Sequence, residues 1–239
     1  MLLGPQNLPE RIGSVRERVA QALVRAGRSA RSVTLLAVTK AQPPEVVRAA
    51  ADCGLTDFGE SYLQEALGKL DALRDRALTW HFVGRLQANK TRPVAEAFAW
   101  VHAVDRLKIA QRLSEQRSPH LPPLNVCLQV SLGGESTKGG VAVAELAGLA
   151  RAVAALPRLA LRGLMCIPPE ETEPARQHAW FRDLHRHFAA LSAQGIALDT
   201  LSMGMSGDFE AAIEEGATIV RVGTALFGPR AWRRGHPAG

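Results

Sequence analysis

Lysine is scarce in this chain: Lys40, Lys69, Lys90, Lys108 and Lys138 are the only five, and arginine carries the remaining cationic charge. The scarcity matters for chemistry. A guanidinium stays protonated at any usable pH. A lysine amine whose pKa is lowered by desolvation or a neighbouring cation becomes a nucleophile that forms a Schiff base with a carbonyl. Lys40 is placed for that role. It ends the apolar run Leu35-Leu36-Ala37-Val38-Thr39 and precedes Ala41-Gln42-Pro43-Pro44. The run reads as a buried strand stopped by the prolines, so Lys40 stands at the carboxyl end of a strand, the usual address of chemistry in α/β folds. A strand-end lysine reaching towards water is the alternative use of the position.

A second set of residues lies near the other end of the chain. Met203-Gly204-Met205-Ser206-Gly207-Asp208 is a glycine-containing turn that opens a helix, and Gly223-Thr224 opens a final short turn. Such turns offer backbone N–H groups and hydroxyls that suit a phosphate dianion. Either segment alone is explained by a tight turn with Ser206 as a helix cap. Two of them, adjacent where a barrel would close, favour phosphate. Arg221 interrupts the apolar run Ile219-Val220-Val222. It either faces outward or points a fixed charge into the barrel mouth.

These residues need elements to hold them. The pattern alternates apolar strand and amphipathic helix from an opening helix, Leu8 to Ala26, with Gly27 as its C-cap. The predicted strands are Val33–Thr39, Thr56–Gly59, Thr79–Val83, Trp100–Val104, Leu124–Val130, Leu159–Ile167, Thr200–Met203 and Ile219–Val222. Helices are expected from Pro44 to Cys53, Tyr62 to Asp75, Lys90 to Phe98, Arg106 to Gln116, Val143 to Leu156, Pro174 to Ser192 and Asp208 to Glu215. Eight β/α units without a composition break predict a single (β/α)8 TIM barrel over residues 1–239, with its core at about 8–228. A doubly wound open sheet is the alternative, weakened because the first strand lacks a GxGxxG turn.

Composition narrows the function classes. The chain has 239 residues, is 46% hydrophobic and has a formal net charge of +6, which suits one large domain. Its arginines are scattered over helical faces and lack interleaved aromatics, which argues against nucleic acid. No apolar run is long enough for a membrane span, and the first residues do not resemble a secretory signal. Cys53, Cys127 and Cys166 have no CxxC spacing and read as buried free thiols in a reducing cytoplasm. Clustered metal ligands are not evident.

Longer motifs carry a resemblance. Ala37-Val38-Thr39-Lys40, Phe58-Gly59-Glu60-Ser61-Tyr62-Leu63-Gln64-Glu65 and His81-Phe82-Val83-Gly84-Arg85-Leu86-Gln87-Ala88-Asn89-Lys90 resemble the YggS/PROSC family of pyridoxal phosphate homeostasis proteins. So do Leu161-Arg162-Gly163-Leu164-Met165-Cys166-Ile167-Pro168, Leu201-Ser202-Met203-Gly204-Met205-Ser206 and Arg221-Val222-Gly223-Thr224-Ala225-Leu226-Phe227-Gly228. The resemblance implies a barrel like the N-terminal domain of alanine racemase, without that enzyme's C-terminal β domain. It implies pyridoxal 5'-phosphate (PLP) held as a Schiff base on Lys40. Ser206, Gly223 and Thr224 would hold the phosphate, and Arg221 would face the pyridine nitrogen, where a fixed positive charge disfavours ring protonation. Ser61 and Met205 join the expected cofactor-binding set, with His81 and Lys138 as secondary candidates. The family usually carries asparagine where this chain has Ser61, and a hydroxyl lacks the amide's two-ended hydrogen bonding.

The expected role is a carrier or buffer in intracellular vitamin B6 and amino-acid homeostasis, working in the cytoplasm as a monomer, with apo PLP-dependent enzymes as partners. Racemisation of the alanine racemase type is the competing reading. It needs a second base, which that enzyme takes from a tyrosine of another domain. The only tyrosine here, Tyr62, is expected to pack inward from its helix. A sugar-phosphate enzyme using Lys40 and the same phosphate cup is a third reading.

Overall fold

A computed structural model describes residues 7–133 and 139–229. Eight parallel strands close into a barrel in sequential order. They are β1 (Thr34–Val38), β2 (Asp57–Glu60), β3 (Thr79–Phe82), β4 (Trp100–Val104), β5 (Leu124–Gln129), β6 (Leu159–Met165), β7 (Thr200–Ser202) and β8 (Ile219–Val222). The helices are α1 (Leu8–Arg25), α2 (Pro44–Asp52), α3 (Leu63–Ala72), α4 (Thr91–Ala97), α5 (Leu107–Gln116), α6 (Val143–Ala154), α7 (Pro174–Ala193), α8 (Phe209–Glu214) and α9 (Thr224–Phe227). Strand and helix bounds fall within a few residues of those read from the sequence, and the closed sheet replaces the open-sheet alternative.

The local reasons for these elements are ordinary. Helix α1 starts with a proline in its first turn, carries Glu10 there and Arg25 in its last turn, and ends before Gly27 at φ +62°. Its buried residues Leu8, Ile12, Val15, Ala22 and Leu23 form one stripe. The helix is pinned across the barrel closure by Arg18–Glu210 and Arg25–Glu214, each at 2.6 Å, with the Arg18 guanidinium 4.5 Å from the centre of the Phe209 ring.

Closure is set by the β1–β8 register, in which Leu36 pairs with Arg221 and Ala37 with Val222. Residues paired across parallel strands share a face of the sheet. Lys40 and the loop after β8 therefore meet at the same end of the barrel. Apolar burial between sheet and helices is extensive, with Val47, Phe58, Val94, Ile109, Phe181 and Phe209 all at 0% exposure. Each such side chain contributes roughly 1.5–3 kcal/mol. The barrel lumen is different. Arg221 on β8 and the His81, His102 and Ser202 chain it joins are all buried polar residues. Cys127 and Cys166 are buried and unpaired as expected, whereas Cys53, at the C-cap of α2, is half-buried.

Candidate cofactor-binding site

At the carboxyl ends of the strands a cavity of about 250 Å³ is lined by Lys40, Ser61, Met205, Ser206, Arg221, Gly223 and Thr224, with Val83, Ile167 and Phe227 among its apolar walls. Seven residues singled out in the sequence are thus brought to one place. They come from two stretches of chain more than a hundred residues apart, 40–61 and 205–224, and barrel closure is what unites them.

The backbone on both sides of Lys40 is held by charge. Lys69 of α3, 2% exposed, donates to the Thr39 carbonyl at 2.7 Å and to Glu60 Oε1 at 2.7 Å, and pairs with Glu65 as well. The Thr39 hydroxyl donates to Glu60 Oε1 at 2.5 Å. The Glu65 carboxylate accepts from the Ala41 N–H at 2.7 Å. Ala41 sits at φ +63°, a left-handed conformation that alanine adopts only under constraint. One buried ion cluster therefore fixes residue 39 and residue 41, and with them the direction in which Lys40 leaves its strand. Burial pushes the Glu60 carboxyl above its ordinary value, against the opposing pull of Lys69 and Thr39. Its Oε2 is buried without a hydrogen-bond partner.

Opposite Lys40, two loops form a cup. In the β7–α8 loop Gly204 has φ +89°, and a Cβ there would lie 2.5 Å from Ala212 Cβ. Only glycine allows the loop to pack so closely on α8. Asp208 accepts from the Met205 N–H at 2.5 Å, and the Ala225 N–H donates to Ser206 Oγ at 3.2 Å. That second bond joins the β7 and β8 loops and leaves the Ser206 O–H available as a donor. Arg221 is 5% exposed, donating from Nη1 to Ser202 Oγ at 2.9 Å and from Nη2 to the Cys166 carbonyl at 2.7 Å. It therefore points inward, which decides between the two orientations the sequence left open. Burial draws its pKa below the ordinary value, but a guanidinium starts so high that it remains charged.

Ser61 reaches the cavity because β2 and β3 end in close contact. A Cβ on Gly84 would lie 2.3 Å from the Ser61 carbonyl oxygen. His81 does not line the cavity. It sits inside the barrel, 2.9 Å from His102 and 3.1 Å from Asp57. Lys138, with the rest of 134–138, lies outside the described residues. Tyr62 corrects an expectation: it is 57% exposed rather than packed inward, because it precedes the first residue of α3 and the inward position falls to Leu63. Sequence reasoning also missed Lys69, Ser202 and His102. Lys69 had a signal, being one of five lysines and four residues beyond Glu65 on a helix.

A lysine, a buried arginine and a hydroxyl-and-glycine cup around one cavity fit a small phosphorylated carbonyl compound. The sequence comparisons agree in class. The family model described as "Alanine racemase, N-terminal domain" matches residues 14–231. An alanine racemase from Corynebacterium glutamicum shares the fold at TM-score 0.71 and 20% identity, over 92% of this chain and 62% of that one. The protein is thus an alanine-racemase-type barrel. Nearer relatives narrow the assignment. The pyridoxal phosphate homeostasis protein of Pseudomonas aeruginosa is 58% identical over 231 residues, covering 97% of this chain and 98% of its own. Its counterpart in Escherichia coli K12 is 48% identical, covering 94% and 97%. PipY of Synechococcus elongatus, in a structure with PLP bound, superposes at TM-score 0.80 with 38% identity, over 90% of this chain and all of that one. The chain belongs to the family of pyridoxal phosphate homeostasis proteins.

Proposed function

We propose that this protein binds PLP as a Schiff base on Lys40 and serves PLP homeostasis as a carrier or buffer, releasing the cofactor to apo PLP-dependent enzymes. The observation that carries the reading is the single cavity in which Lys40 faces Arg221, Ser206, Gly223 and Thr224. The names of the relatives and the PLP-bound PipY structure support it. When bound, the cofactor supplies a reactive aldehyde and a ring that withdraws electrons.

The residues have separable tasks in this reading. Lys40 is the amine. The Ser206 hydroxyl and the backbone at Gly223 and Thr224 hold the phosphate. Arg221 presents a permanent cation to the ring nitrogen, which keeps that nitrogen unprotonated and weakens the ring as an electron sink. Ser61 and Met205 complete the wall. Among the described lining residues the only ionisable side chains are Lys40 and Arg221, and a guanidinium does not give up its proton. A two-base racemisation needs a second proton-exchanging group, and the exposed Tyr62 is outside the cavity lining. This supports holding over turnover.

Borohydride reduction of the PLP-loaded protein followed by peptide mapping tests the assignment. The label is expected on Lys40 and absent in Lys40→Ala. Equal labelling of that variant elsewhere, for instance on Lys138, would overturn it. Ser206→Ala is expected to weaken PLP retention by about 1–3 kcal/mol, the worth of a hydrogen bond to a charged acceptor, read as a dissociation constant. Transfer to an apo-enzyme in the presence of a trap for free PLP separates direct delivery from release. Sedimentation of the loaded protein checks the expected monomer.

A further inference from the structure

A line of hydrogen bonds leaves the cavity floor and runs through the barrel. Arg221 Nη1 donates to Ser202 Oγ at 2.9 Å. Ser202 Oγ lies 2.7 Å from His102 Nδ1, His102 Nε2 lies 2.9 Å from His81 Nδ1, and His81 Nε2 lies 3.1 Å from Asp57 Oδ1. Asp57 is the first residue of β2, at the barrel end opposite the cavity. Ser202 and His102 are 0% exposed and His81 is 1% exposed.

The chemistry of the two ends gives the line a direction. A guanidinium only donates and a carboxylate only accepts. With neutral imidazoles, His81 must give its Nε2 proton to Asp57, so its Nδ1 accepts from His102 Nε2. His102 Nδ1 then accepts the Ser202 hydroxyl proton, and Ser202 Oγ accepts from Arg221. Each contact has one donor and one acceptor, and none is left over. Burial favours the neutral rings. It holds His102 well below its ordinary pKa, helped by the Arg221 cation and by repulsion from His81 whenever that ring is protonated. It lowers His81 too, against the pull of Asp57. The other titratable and charged groups facing this line are the Cys166 and Cys127 thiols and Asp208, which interact with Arg221, and Arg162 of β6, which lies over Trp100 and is paired with Asp199.

Barrel interiors are usually filled by branched apolar side chains. Buried polar groups in their place are tolerated only when fully bonded. This line is fully bonded, and it starts on the residue that faces the ligand. We propose that Ser202, His102, His81 and Asp57 are positioning residues that act through Arg221, orienting its guanidinium and setting how strongly it withdraws electron density from the bound ring. The proposal rests on the reading of the cavity as the PLP site. The Asp57 carboxylate polarises the line so that Ser202 Oγ becomes a better acceptor for Arg221. Cutting the line leaves more of the cation's field directed at the ring.

The test uses the full-length PLP-loaded protein and the pH midpoint of its visible absorbance. Ser202→Ala, His102→Gln and Asp57→Asn are each expected to move the midpoint to lower pH, by at least about twofold in the protonation equilibrium, or about 0.3 unit. Ser202→Thr, which keeps the hydroxyl, restores the wild-type value. Asp199→Asn, at the same barrel end but off the line, leaves it unmoved. A purely structural role would lower stability in the three variants without moving the midpoint. Unchanged midpoints in Ser202→Ala and Asp57→Asn, with cofactor still trapped on Lys40, overturn the proposal. The wild type provides a measurement that no misfolded variant can obscure: 15N imidazole shifts place the proton of both His81 and His102 on Nε2. A proton on Nδ1 of either ring also overturns it. A wild type that takes up no PLP shows no visible band at all. That separate result sinks the cavity reading and this proposal together, while the imidazole shifts still report on the line itself.

Discussion

Lys69 and His102 are both almost wholly buried behind residues of the cavity, Lys69 behind Lys40 and His102 behind Arg221, yet their surroundings are opposite in kind. Lys69 packs against two carboxylates and a backbone carbonyl, in a cluster with one carboxylate oxygen left unpaired. His102 packs against a hydroxyl and a second ring, in a line where each proton has one acceptor. The cluster under β1 is held by charge and sets backbone geometry around Lys40. The line inside the barrel is held by hydrogen-bond order and sets the side chain of Arg221. The difference shows two ways to make a flexible cationic residue point one way. One constrains its peptide neighbours, and the other saturates its donors.

Removing one member of the charged cluster has the largest expected effect. Lys69→Met leaves Glu60 buried without its counter-ion and should cost about 3–5 kcal/mol of stability in urea unfolding. Adding Glu60→Gln should recover most of that loss, since a pair replaced together leaves no stranded charge. A double variant as unstable as the single one would show that Lys69 works through Thr39 and Glu65 instead.

The two assemblies also carry opposite pH signatures. His81 and His102 are held below their ordinary 6.5, so the unfolded chain binds protons first as pH falls. Their contribution is complete above that value and declines below it, by up to about 2.7 kcal/mol per pH unit for two protons. Glu60 is held above its ordinary 4.5. Its contribution is complete in acid and is lost as pH rises beyond that value. Urea titrations of wild type and His102→Gln across this range should show the shallower acid slope in the variant. Equal slopes would mean the ring takes up its proton without unfolding. The smallest effect expected is that of Ser202→Ala, about 1–3 kcal/mol for leaving Arg221 and His102 each short of a partner.

How much of this was legible in the sequence follows from the same contrast. The strand bounds were legible because proline and glycine punctuate them, as at Pro43-Pro44 after β1 and Gly54 before β2. Lys40, Ser206 and Gly223 were legible because a barrel gathers whatever follows its strands. Ser202 and His102 were not. They meet across the lumen although a hundred residues apart in the chain, and each looks like a lone polar residue within an apolar run. A clue was present in His81 and His102, polar residues at interior positions of neighbouring strands, where a TIM barrel places aliphatic ones. Tyr62 was misread because helical periodicity does not fix which residue begins a helix, and a shift of one position turns a side chain from core to solvent.

The β1–β8 pairing has a consequence in time as well as in space. Lys40 is made early and Arg221 late, 181 positions further along (221 minus 40). At ordinary rates of synthesis that interval is roughly 10–40 s. Throughout it Lys40 exists without the β8 residues that complete its cavity. In the proposed reading, a chain that has not yet reached β8 offers free PLP only a bare amine. In that reading, retention begins when β8 has slotted beside β1, so bound PLP reports that the barrel has closed.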